Sequence, residues 1–91
     1  MNIVTLASRL DLTEASGLAA ALNAHSGQPV TLDAGNVEHL GGLCLQVLLA
    51  AARQWRETTC EFAITPRSAP FSDALTIFGV DPSEFGEEIH S

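Results

Sequence analysis

The chain has 91 residues, 46% of them apolar, enough for one hydrophobic core and too few for two. Four arginines and no lysine face eleven acidic residues, a formal charge of −7. That balance repels phosphate backbones and anionic lipid, which excludes nucleic acid and membrane surfaces as expected partners and leaves solubility or a basic partner as its use.

No basic run leads into an apolar stretch with a cleavage site, so no secretory signal is read at Met1-Asn2-Ile3-Val4. No window approaches the roughly 18 apolar residues that a spanning helix needs, and Leu43–Ala52 suits a buried helix. Cys44 and Cys60 lack CxxC spacing and sit in apolar runs on separate elements. The expected setting is therefore a reducing cytoplasm.

Asn2–Ser8 alternates as a strand, with both faces largely apolar, which predicts helices over at least one of them. Arg9-Leu10-Asp11-Leu12 is read as a turn. Asp11 and Thr13 both suit an N-cap, where a side-chain oxygen accepts from the free N–H groups of the next turn, and Glu14 adds favourable charge there. The first helix is predicted over Thr13–His25, with Ala15, Leu18, Ala19, Leu22 and His25 on one side. Gly17 costs this helix about 1 kcal/mol relative to alanine. Gly27 and Pro29 end it.

Val30–Asp33 is predicted as a short buried strand, followed by a polar turn at Asp33, Gly35 and Asn36. Val37-Glu38-His39-Leu40 leads to Gly41-Gly42, which open directly into an apolar helix running from Gly42 or Leu43 to Glu57. Its early turns are apolar all round, which predicts packing on every side, and Trp55 continues the buried side one heptad after Leu48. Arg53 and Arg56 near its C-terminus suit the helix dipole. A third strand is predicted over Thr59–Thr65, with Pro66 ending it. Ser68 caps a third helix whose stripe is Phe71, Ala74, Leu75 and Phe78, closed by Gly79. Residues 1–80 are read as the domain and 81–91 as a tail, either docked through Phe85 or ending in an edge strand through Ile89. Glu87-Glu88 is read as a solvated run. Strand and helix alternate throughout, so the fold class is α/β with a mostly parallel or mixed sheet of 3–4 strands and about three helices.

The Gly41-Gly42 loop admits two readings. It is either a tight turn needing positive φ, or a bare helix mouth where a partner backbone can reach unpaired N–H groups. His39 is either a ligand and pH sensor or a packed or capping residue. Cys44 is either a reactive thiol at a helix N-terminus or a buried hydrophobe, which its neighbours Leu43 and Leu45 favour. Asp11 is either a plain cap or a partner contact. His25 and His90 are too far apart for metal-ligand spacing, so no metal or cofactor is expected. The loop lacks a P-loop lysine and a dinucleotide fingerprint. No nucleophile is placed beside a base, so catalysis is not expected.

The chain resembles the STAS domain of bacterial anti-sigma factor antagonists over Asn2 to about Gly79. The resemblance rests on Leu10-Asp11 before the first helix, Thr31-Leu32-Asp33 at a strand end, Leu45, Val47, Leu48 and Leu49 in the second helix, and the Phe71–Gly79 run. In the switching members of that family, an Asp-Ser-Ser-Gly tetrad is phosphorylated at this helix start. Here the tetrad aligns with Gly41-Gly42-Leu43-Cys44, with no hydroxyl, so the phosphorylation switch does not carry over. The family also has one more strand ahead of Asn2–Ser8, so one sheet edge is expected to be shorter or exposed here, a route to a homodimer. The resemblance implies a non-catalytic protein-binding module of bacterial signalling. Its expected surface is Asp11, Leu12, His39, Gly41, Gly42, Leu43, Cys44 and Gln46. The expected partner is an anti-sigma factor or histidine-kinase-like ATPase, or a chemotaxis or two-component assembly. The alternative implied by the same resemblance is the small cytoplasmic STAS subunit of a phospholipid ABC transporter, which holds the ATPase subunit.

Overall fold

A computed structural model of the chain describes residues 2–86. Three strands, β1 (Asn2–Thr5), β3 (Val30–Ala34) and β5 (Phe62–Arg67), form a parallel sheet in the order β1-β3-β5. The register places Val4, Leu32 and Ile64 in one row and Ile3, Thr31 and Ala63 in the next. Leu32 and Ile64 are fully buried, whereas Ile3 is 62% exposed. One face of the sheet therefore carries the core, as the period-2 alternation requires.

Two α-helices, α1 (Ala15–Asn23) and α2 (Gly42–Glu57), connect the strands, and a third, α3 (Ala69–Ile77), follows β5. Asp11 caps a 3-10 turn at Leu12–Glu14 that leads into α1, accepting from the Thr13 N–H at 3.0 Å and its hydroxyl at 2.6 Å. Ala15, Leu18 and Leu22 of α1 are buried, while Ala19 and His25 are half-buried. Ser68 caps α3 by accepting from the Phe71 N–H at 3.2 Å. Gly79, at φ +72°, takes the left-handed turn that ends this helix. Trp55 is buried near the end of α2, donates its indole N–H to the Gln28 carbonyl at 2.7 Å and packs on Phe62.

Three sequence expectations need correction. Arg9–Leu10 (β2) and His39–Leu40 (β4) are not turn and loop but a second parallel pair, with Arg9 opposite His39 and Leu10 opposite Leu40. Pro66 does not end the third strand, which begins later than expected and runs through Arg67 past an irregularity in register between Leu32 and Ala34. β5 lies at the sheet edge, where a missing N–H costs no ladder bond. Finally, α2 is not packed on every side, because Leu43, Gln46 and Ala50 are exposed.

Pro82–Phe85 forms a 3-10 turn whose Phe85 is fully buried against Phe71, with ring centroids 6.3 Å apart. Arg67 holds this segment, donating from Nη2 to the carbonyls of Phe85 and Gly86 at 3.2 and 2.7 Å. Glu87, Glu88, Ile89 and His90 lie outside the described residues.

Candidate functional site

The β2–β4 pair brings the start of the first helical segment beside the start of α2. The Gly41 N–H donates to the Leu10 carbonyl at 2.8 Å, and Cys44 donates its thiol hydrogen to the Asp11 carbonyl at 3.2 Å. A Cβ on Gly41 would stand 3.2 Å from the Leu10 carbonyl oxygen, 3.7 Å from His39 Nε2 and 3.9 Å from the Asp11 Cα. Asp11, His39, Gly41 and Cys44 thus converge, although more than 25 residues of chain separate Asp11 from the others.

Gly41 is half-buried and Gly42 is exposed. Gly41 has φ −84° and neither glycine is at positive φ, so the tight-turn reading fails. The glycine at position 41 answers to close backbone approach instead. Gly41 serves as the N-cap of α2 and offers no side-chain hydrogen bond, so the first N–H groups of the helix lack a side-chain cap. The helix macrodipole adds partial positive charge at the same place.

Around this mouth the surface is apolar. Leu12 is 74% exposed and Leu43 45% exposed. Gln46 is exposed one turn into α2, on the same side as Gly42. Phe78, which the stripe of α3 placed in the core, is 48% exposed, while Phe71 and Leu75 are fully buried. It follows the last residue of α3, and its ring lies 3.7 Å from where a Gly42 Cβ would be. Phe78 and the exposed Ile77 are the residues that the sequence reading missed. The available signal was Ile77, a large apolar residue that falls outside the Phe71, Ala74, Leu75 and Phe78 stripe and so faces away from the core.

Electrostatics separate Asp11 from Cys44. Burial pushes the Cys44 thiol above its ordinary pKa, and the charges of Asp11 and Glu14 push it the same way. Its side chain is fully buried, so it is a packed hydrophobe and the reactive-thiol reading fails. The hydrogen bond from the Thr13 hydroxyl holds the Asp11 carboxyl below its ordinary value, with help from Arg9. Among the described residues, no group of three or more His, Cys, Asp or Glu side chains could hold a metal ion. No helix among them is long and apolar enough to cross a membrane.

The family model described as "Mlab, STAS domain" matches residues 2–85. No curated protein matches the chain. Domains of the matched type are in general non-catalytic modules that bind protein partners. The alternating fold, the parallel sheet and a match over nearly the whole length agree: this chain belongs to the MlaB-type STAS domain family.

Proposed function

We propose that this domain acts by holding a protein partner at the mouth of α2 and makes or breaks no bond itself. The observation that carries the reading is the uncapped helix start at Gly41–Gly42, framed by the exposed apolar side chains of Leu12, Leu43 and Phe78. Gly42, exposed and without a side chain, lets a partner backbone approach the free N–H groups, and the apolar rim supplies area to bury.

The partner that fits best is the ATPase subunit of a phospholipid ABC transporter, with this chain as its small cytoplasmic STAS subunit. The MlaB-type match supports this reading better than the signalling role expected from the sequence. Residues 41–44 contain no hydroxyl to phosphorylate, which removes the switch that anti-sigma antagonism uses.

Affinity capture from the native cell tests the proposal. The wild-type chain is expected to retain an ABC-type ATPase, and Gly42→Arg to lose it with unchanged far-UV circular dichroism and melting temperature. Gly42 is exposed, so arginine there obstructs the mouth without entering the core. Recovery of a histidine-kinase-like ATPase or a chemotaxis protein would return the signalling reading. Equal capture by both chains would remove the mouth from the account.

A further inference from the structure

A groove of about 300 Å³ runs from the end of β4 to the outer side of α3, beside the α2 mouth. Its apolar lining is Leu40, Pro70, Ala74, Ile77 and Phe78. Ile77 is 81% exposed, the most exposed of the large apolar side chains among the described residues. Glu38, Asp73 and the imidazole of His39 also line the groove, all three exposed, and no arginine does. An apolar channel with two carboxylates, one imidazole and no arginine is complementary to an apolar side chain flanked by cations.

A second copy of this chain is a poor source of such a segment. Arg56 is paired with Glu84 at 3.0 Å, and Arg67 is bonded to backbone carbonyls. Arg9 lies on the Asp11 side and lowers the pKa of that carboxyl, and Arg53 is near the far end of α2. Two copies at −7 each also repel one another. The occupant is therefore a different, basic protein. Resting on the docking reading above, we propose that the groove takes an apolar side chain of the partner, carried on a segment with arginine or lysine on either side of it. The mouth of α2 would then receive the partner backbone while the α3 groove receives its anchor and reads its charge.

The test is a ¹⁵N chemical-shift titration of the full chain with short synthetic peptides built on one frame. One carries leucine and phenylalanine between arginines, one the same pair between glutamates, and one alanines between arginines. The first is expected to move the amide signals of Leu40, Ala74, Ile77 and Phe78, with the other two binding about tenfold more weakly or less. Ile77→Ser and Asp73→Arg are each expected to weaken the first peptide by about tenfold, and both positions are exposed enough to leave the fold intact. Equal binding of the glutamate peptide, shifts gathered away from α3, or no saturable shift would each overturn the groove proposal. Phe78 borders both, so Leu40, Ala74 and Ile77 judge the groove, and the Gly42→Arg capture judges the α2 mouth separately.

Discussion

A methyl group at Gly41 would sit 3.2 Å from the carbonyl oxygen of Leu10, an atom already fixed by the 2.8 Å bond from the Gly41 N–H. Backbone gives way less easily than a side-chain end, so Gly41→Ala is expected to cost roughly 1–2 kcal/mol through overpacking. A methyl at Gly42 would meet the Phe78 ring at 3.7 Å, ordinary contact, and Gly42→Ala should change stability by no more than about 0.5 kcal/mol. Urea denaturation of the two variants checks this, and equal losses would contradict the packing described. Asp11 gives a pH prediction. Its folded-state pKa is lowered, so the carboxylate contributes stability above the ordinary carboxyl range and loses it as pH falls through the lowered value. Asparagine keeps an oxygen for Thr13 but carries no charge. Thermal melts of wild type and Asp11→Asn should therefore differ most near neutral pH and converge in acid, whereas a constant gap would mean the charge is irrelevant. Asp11 and Ser68 were legible as caps because their short polar side chains have few other uses before an apolar helix. Phe78 was not, because its spacing from Phe71 fits the buried stripe. Only the structure shows that the facing Gly42 has no side chain to cover it.

At the scale of elements, the long pieces were readable and the short ones were not. β3 alternates buried and half-buried residues over five positions, and α2 runs for sixteen, long enough for periodicity to declare itself. β2 and β4 have two residues each, and no period can be seen in two residues. Their pairing is long-range and helps set Asp11 beside Gly41, so that juxtaposition was hidden although both residues were named. Pro66 misled for a related reason. Proline ends a central strand but is tolerated at an edge, and edge position is a property of the sheet order. The segment Pro82–Phe85 tests how elements share the core. Phe85 is fully buried on Phe71, and Arg67 grips the carbonyls of Phe85 and Gly86. Phe85→Ala is expected to destabilise the chain by roughly 3–4 kcal/mol, as truncation of a buried aromatic does. Calorimetric melting checks it. A loss below about 1 kcal/mol would mean the segment rests on the domain without supporting it.

At the scale of the molecule, a parallel sheet buries one face, and the paired β2 and β4 gather two helical starts at one end of it. The charge balance disfavours a phosphate-rich partner and suits a basic one, while the apolar rim of Leu12, Leu43, Ile77 and Phe78 supplies area to bury. The account stands on the helix start, where the first N–H groups of α2 lack a side-chain cap beside two residues without side chains. Titration calorimetry of the proposed ATPase partner with wild type and Gly42→Arg measures this directly. The account predicts at least about a hundredfold loss of affinity, or about 2.7 kcal/mol, with the melting temperature of the variant unchanged. Affinity retained within about threefold in a folded Gly42→Arg chain would contradict it.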